Sequence, residues 1–156
     1  MTTAEKKEYL KSYIITKHLV ESLRSRVIDW ADRAENLQTA ICCGTSGRSN
    51  NTAMQQCIEE MIECQNKLVK ALRLEMRLID EVEQAISSLD NPKMRLLMIR
   101  RYIEGAPWDV ISEQLGYDLE GKGAYKLHDR ALEKMTFPSS NVAVKEELKS
   151  IKKPKA

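Results

Sequence analysis

The chain has 156 residues, 42% hydrophobic and 31% charged, with 6 Gly, 1 Phe, 2 Trp and 5 Tyr. That length suits one ordinary core, or one long helical element with a small module, and excludes a multidomain enzyme. Scarce aromatic residues and glycines argue against sandwiches and barrels and for an all-α chain. No apolar run approaches the roughly 18 residues of a membrane span, and the start MTTAEKKEYL lacks the apolar core of a secretory signal. The expectation is a cytoplasmic protein without a membrane partner. Residues 1–91 hold 12 Lys/Arg against 14 Asp/Glu, and residues 92–156 hold 13 against 9, so the net charge of +2 hides a weakly basic C-terminal part. Such a part suits phosphate or an acidic protein surface.

From Tyr9 the residues Tyr13, Thr16, Val20, Leu23, Val27, Trp30, Ala34, Leu37 and Ile41 follow in steps of three and four. This period keeps one stripe of a helix against a partner helix. Turn formers from Gly44 to Asn51 interrupt it. A second stripe then runs through Met54, Ile58, Met61, Gln65, Leu68, Leu72, Glu75, Ile79, Val82, Ile86 and Leu89. Two stripes and a short connection predict a long antiparallel, coiled-coil-like hairpin over residues 1–90, with arms of about 60 Å. Leu19, Ile28, Ile62, Val69 and Leu78 flank the seams, and two helices cannot cover them all. Either the C-terminal module folds back on the hairpin or two hairpins form a bundle. The polar seam residues Gln65 and Glu75 favour self-association, with a homodimer expected.

At Asn91-Pro92 the pattern changes: Asn91 suits an N-cap and Pro92 the first helical position. A helix from there is expected to end at Gly105, a second to run from Pro107 to Gly116, and a third from about Asp118 to Met135, with Pro138 beyond it. On the first, Met94, Leu97, Met98, Arg101 and Tyr102 share one side. The second buries Trp108, Ile111 and Leu115, with small Ser112 allowing close approach, and the third buries Ala124, Leu127, Ala131 and Met135. The opposite face of the third helix then shows Lys122, Tyr125, Lys126, Asp129 and Arg130, side chains able to meet phosphates and base edges. Residues 91–137 thus read as a helix-turn-helix module. Residues 138–156 read as a polar, basic, frayed tail. The four cysteines include no CxxC pair, and His18 and His128 lie far from them, so no metal or other cofactor is expected.

The ordered set Arg100-Arg-Tyr102, Trp108 to Ile111, Leu115-Gly-Tyr117 and Tyr125-Lys-Leu-His128 through Ala131-Leu132 resembles the C-terminal half of ArpU-like phage transcriptional regulators. Their helix-turn-helix is similar to the fourth conserved region of bacterial sigma factors. The N-terminal half, two long helices leading into Leu89-Asp-Asn-Pro92, resembles that family as well, so the resemblance covers residues 5 to 135. It implies that the helix holding Tyr125 and Lys126 enters the major groove, that Arg101 lies near a backbone phosphate, and that His128 packs or hydrogen-bonds. One departure stands out. The stretch from Asp118 to Ala124 is longer than the family's turn and contains Gly121 and Gly123, each costing roughly 1 kcal/mol in a helix relative to Ala. The recognition helix is therefore expected either to begin late, near Gly121, or to stay loose until DNA orders it, in which case Gly123→Ala should stabilise it slightly unless Gly123 has a positive φ.

The sequence is thus read as a non-enzymatic, sequence-specific regulator binding double-stranded promoter DNA through Arg101, Lys122, Tyr125, Lys126 and Arg130. No nucleophile with a base and no glycine-rich phosphate loop points to catalysis. Two other readings stand beside it. One is a helical adaptor docking on RNA polymerase or a sigma factor. The other is a DNA-packaging protein of the small-terminase kind.

Overall fold

A computed structural model describes residues 1–44, 48–118, 122–138 and 141–154, with side chains in the second long helix from 51 onward. All regular structure in these residues is helical. The first helix, α1 (Thr3–Cys42), opens with a reciprocal cap in which the Thr2 hydroxyl accepts from the Glu5 amide and the Glu5 carboxylate accepts from the Thr2 amide. The second, α2 (Arg48–Ser87), also has 40 residues and packs antiparallel on α1 as the expected hairpin. Its first turn lies inside the turn-forming segment, earlier than the apolar stripe suggests. The connection at 45–47 lies outside the described residues.

Periodicity in α1 translates directly into burial: Tyr9, Tyr13, Thr16, Val20 and Leu23 are buried. Thr16 is tolerated there because its hydroxyl donates to the Ser12 carbonyl at 2.7 Å. In α2 the seam is displaced by one position along much of its length. The buried residues are Cys57, Cys64, Ala71, Leu74, Leu78, Val82, Ala85, Ile86 and Leu89, whereas Ile58 and Gln65 are exposed. Leu78, expected beside the seam and open to a partner, is 0% exposed in the core. Hydrophobicity alone misplaced this stripe, because small or thiol side chains at 57, 64 and 71 fit the close approach of α1 while larger neighbours point away.

Asn91 accepts from the Lys93 amide and Pro92 opens α3 (Pro92–Met98), as expected. This helix widens into a π-helical turn over Ile99–Ile103 before Gly105 stops it with φ +74. Next come α4 (Trp108–Leu115), closed by left-handed Gly116, and α5 (Lys122–Lys134). The start of α5 expected near Gly121 falls outside the described residues; the described helix begins at Lys122. The three elements pack on one another and against the base of the hairpin, with Ile14, Leu19, Ile79, Ile99 and Ile103 partly buried against the common core.

The segment read as a frayed basic end is instead a helix, α6 (Asn141–Lys152), lying along both hairpin arms. Its Val144, Leu148 and Ile151 are buried at steps of four and three. Glu8 anchors it, accepting from Asn141 Nδ2 at 3.1 Å and Lys145 Nζ at 2.6 Å, and Arg77 meets Glu147 at 2.6 Å. The Lys145 ammonium holds the Glu8 carboxyl below the usual carboxylate range. Lys-rich composition concealed a short apolar stripe that the spacing shows. Among the described residues no helix is long and apolar enough to cross a membrane.

Candidate nucleic-acid interface

Helix α5 is two-faced. Ala124, Leu127, His128, Ala131 and Leu132 are buried, and Met135 beyond its end is 0% exposed. Lys122, Tyr125, Lys126, Asp129 and Arg130 are exposed. Lys122, Lys126 and Arg130 stand four residues apart, which sets them on one line about 12 Å long at 1.5 Å per residue. Lys126 and Arg130 make no ion pair among the described residues. The acid among them, Asp129, is turned toward the hairpin, with Lys7 Nζ at 4.0 Å and His128 Nδ1 at 3.4 Å.

Tyr125 belongs to a stack that the sequence reading did not assemble. Its ring lies 4.5 Å from that of Trp108, which meets His128 edge-on at 5.3 Å and carries the Arg101 guanidinium 4.9 Å above its own ring. Arg101 also donates to the Ala106 carbonyl at 3.2 Å. Its place is thus the hinge between the π-helical turn and α4, apart from the line on α5. Tyr125 remains 46% exposed at the rim of the stack.

His128 is 1% exposed, and Tyr102 Oη lies 2.8 Å from its Nε2. Burial pushes the imidazole below its ordinary range against a smaller upward pull from Asp129, and burial pushes the Tyr102 hydroxyl up to about 12. A neutral ring with its Nδ1–H toward Asp129 accepts the Tyr102 proton at Nε2, so the pair is an internal strut joining α5 to the π-helical turn. The packing or hydrogen-bonding role expected of His128 is the one the structure gives it.

Gly123 departs from both expectations set for it. Positive φ values occur at Gly44, Gly105 and Gly116, and Gly123 lies within α5 instead. A Cβ there would stand 2.4 Å from Tyr117 Cδ1 and 3.0 Å from its Cγ. The glycine is needed for close approach of the Tyr117 ring, so Ala is not a stabilising replacement. At the other end of α5, Lys6 from α1 donates to the carbonyls of Leu132 and Glu133 at 2.8 and 3.1 Å. A cation on these last carbonyls satisfies orphan acceptors and complements the helix dipole.

Cys42 and Cys43 are exposed, Cys57 and Cys64 are buried, and all four are free thiols. Among the described residues no group of three His, Cys, Asp or Glu side chains is placed to hold a metal ion. No family model, no curated protein and no solved structure matches this chain.

Proposed function

We propose that this chain is a DNA-binding transcriptional regulator of phage or prophage genes, with α4, the turn after it and α5 acting as a helix-turn-helix. The observation that carries this reading is the line of Lys122, Lys126 and Arg130, with Tyr125 beside it, on the exposed face of a helix whose opposite face is buried. A major groove about 12 Å wide admits such a helix. The motif resemblance supports the same reading, since its apolar positions fall on the packing between α3, α4 and α5 and its Gly116 closes α4. In this reading Lys122, Lys126 and Arg130 meet phosphates or base edges and Tyr125 reaches a phosphate or a thymine methyl. Arg101, half-buried on Trp108, positions Tyr125. No catalytic step is assigned to the chain.

Fluorescence titration with duplexes selected from a random library tests this. Lys126→Ala should cost about 1–3 kcal/mol and relax preference at one position if it reads a base. The Lys126→Ala/Arg130→Ala double variant should bind far more weakly than wild type. Wild-type affinity in that double variant would remove α5 from the interface. Binding to RNA polymerase or a sigma factor without binding to DNA would favour an adaptor, and a ring-shaped assembly would favour a packaging protein.

A further inference from the structure

We propose that a second copy of this chain covers an open apolar stripe on α2, the two α2 helices packing antiparallel along residues 58–76. Ile58, Ile62, Val69 and Met76 are 39%, 48%, 46% and 66% exposed, and with Gln65, Leu72 and Ile79 they recur in steps of four and three. That is the repeat of a coiled-coil seam. It lies one position past the buried seam at Cys57, Cys64, Ala71 and Leu78, hence about 100° around the helix. So α2 carries two seams, one filled by α1 and one open.

The open seam has a filled end within the chain itself. Ile79, Glu83 and Ile86 continue it toward the hairpin base, where Glu83 and Ile86 line a cleft with Ile99 and Ile103 of the module. The module therefore seals the base of the same stripe whose remainder faces solvent. α1 adds to that remainder: Tyr9 bonds Glu81, so on antiparallel arms Ile28 is level with Ile62. Ile28 sits one position past the α1 seam at Val27 and is 59% exposed. This widens the patch across both arms.

Charge selects the partner and its direction. Along the outer flank of the stripe, Glu59 lies toward the hairpin tip and Arg73 and Arg77 toward the base, while Glu63 and Lys70 line the cleft against α6. Glu63 is paired with Lys67 and Arg77 with Glu147, while Glu59 and Arg73 make no ion pair among the described residues. A parallel pair would set acid against acid and base against base. An antiparallel pair sets Glu59 of one copy against Arg73 of the other, and it keeps the two modules at opposite ends. Gln65, polar within the seam, fixes the register.

Sedimentation of the full chain at tens of micromolar tests the pairing without reference to DNA. A dimer is expected, and Val69→Glu should be monomeric with unchanged helicity. Glu59→Arg alone should weaken association by about tenfold, and adding Arg73→Glu should restore it. For direction, a spin label on Gln55→Cys, in a chain carrying Cys42→Ser and Cys43→Ser, should give a separation of roughly 30 Å along the axis, whereas parallel helices would bring the labels side by side. A wild-type monomer, a dimeric Val69→Glu variant, or adjacent labels at position 55 would each overturn the proposal.

Discussion

The two ends of the hairpin use the same seam pattern and bury it to different extents. Toward the base, Tyr9, Tyr13, Val20 and Leu23 are buried in one core with Ala71, Leu74, Leu78 and Val82, with the module and α6 as additional layers. Toward the tip, Val27, Trp30, Ala34, Leu37 and Ile41 are only half-buried, though their spacing is equally regular. The difference teaches that in α1 periodicity chooses which face turns inward, whereas full burial of its large side chains depends on a third element closing over the groove between two helices. A hairpin by itself is half a core.

Stability should follow this division, and the largest effect is expected at the base. Leu78→Ala, at a position 0% exposed, should cost about 2–5 kcal/mol in denaturant unfolding. Leu37→Ala, near the tip, should cost about 1 kcal/mol, in proportion to the smaller area it hides. Equal losses would mean that the tip is as well covered as the base and would erase the contrast.

The next effect is in the module. Gly123→Ala should destabilise by about 1–3 kcal/mol because its Cβ meets the Tyr117 ring. The double variant with Tyr117→Ala should lose less than the two single losses added together, since each change relieves the other. A more stable Gly123→Ala variant would show that helix propensity outweighs the contact.

A smaller effect depends on pH. The folded His128 imidazole titrates below its ordinary value near 6.5, so as pH falls the unfolded chain takes up the proton first. The stability tied to neutral His128 is therefore complete above that value and is lost as pH drops through it. Urea midpoints should decline from pH 7.5 to roughly 5.5, and His128→Phe should flatten that decline whatever its own stability. Glu5 and Glu8, held low by Thr2 and Lys145, lose their contribution only at more acidic pH, which keeps the two effects apart.

Much of this architecture was legible in the sequence because local chemistry and tertiary structure agree. Asn91-Pro92, Gly105, Gly116 and the Ala124, Leu127, Ala131, Met135 stripe each specify a boundary or a face that the fold uses. The α2 seam was less legible: a run with apolar residues on two adjacent faces leaves the inward one undetermined until the partner helix selects it. That is also why Leu78 reads as a flank. The proposed recognition surface was legible as a row of charges on α5. Its support was not, because the Trp108, Tyr125, Arg101 and His128 stack joins three elements that no local spacing connects. Likewise, the Lys6 contact with the end of α5 joins residues far apart in sequence, beyond the reach of any periodicity.

The contrast between a module built to present α5 and a hairpin built to hold it is tested most directly by the salt dependence of DNA binding. For wild type, the logarithm of the association constant should fall steeply and linearly with the logarithm of salt concentration. The Lys126→Ala/Arg130→Ala variant should reduce that slope by about 2 if both residues neutralise phosphates. An unchanged slope in the variant, or a wild-type association indifferent to salt, would contradict the assignment of α5 as the DNA-contacting helix.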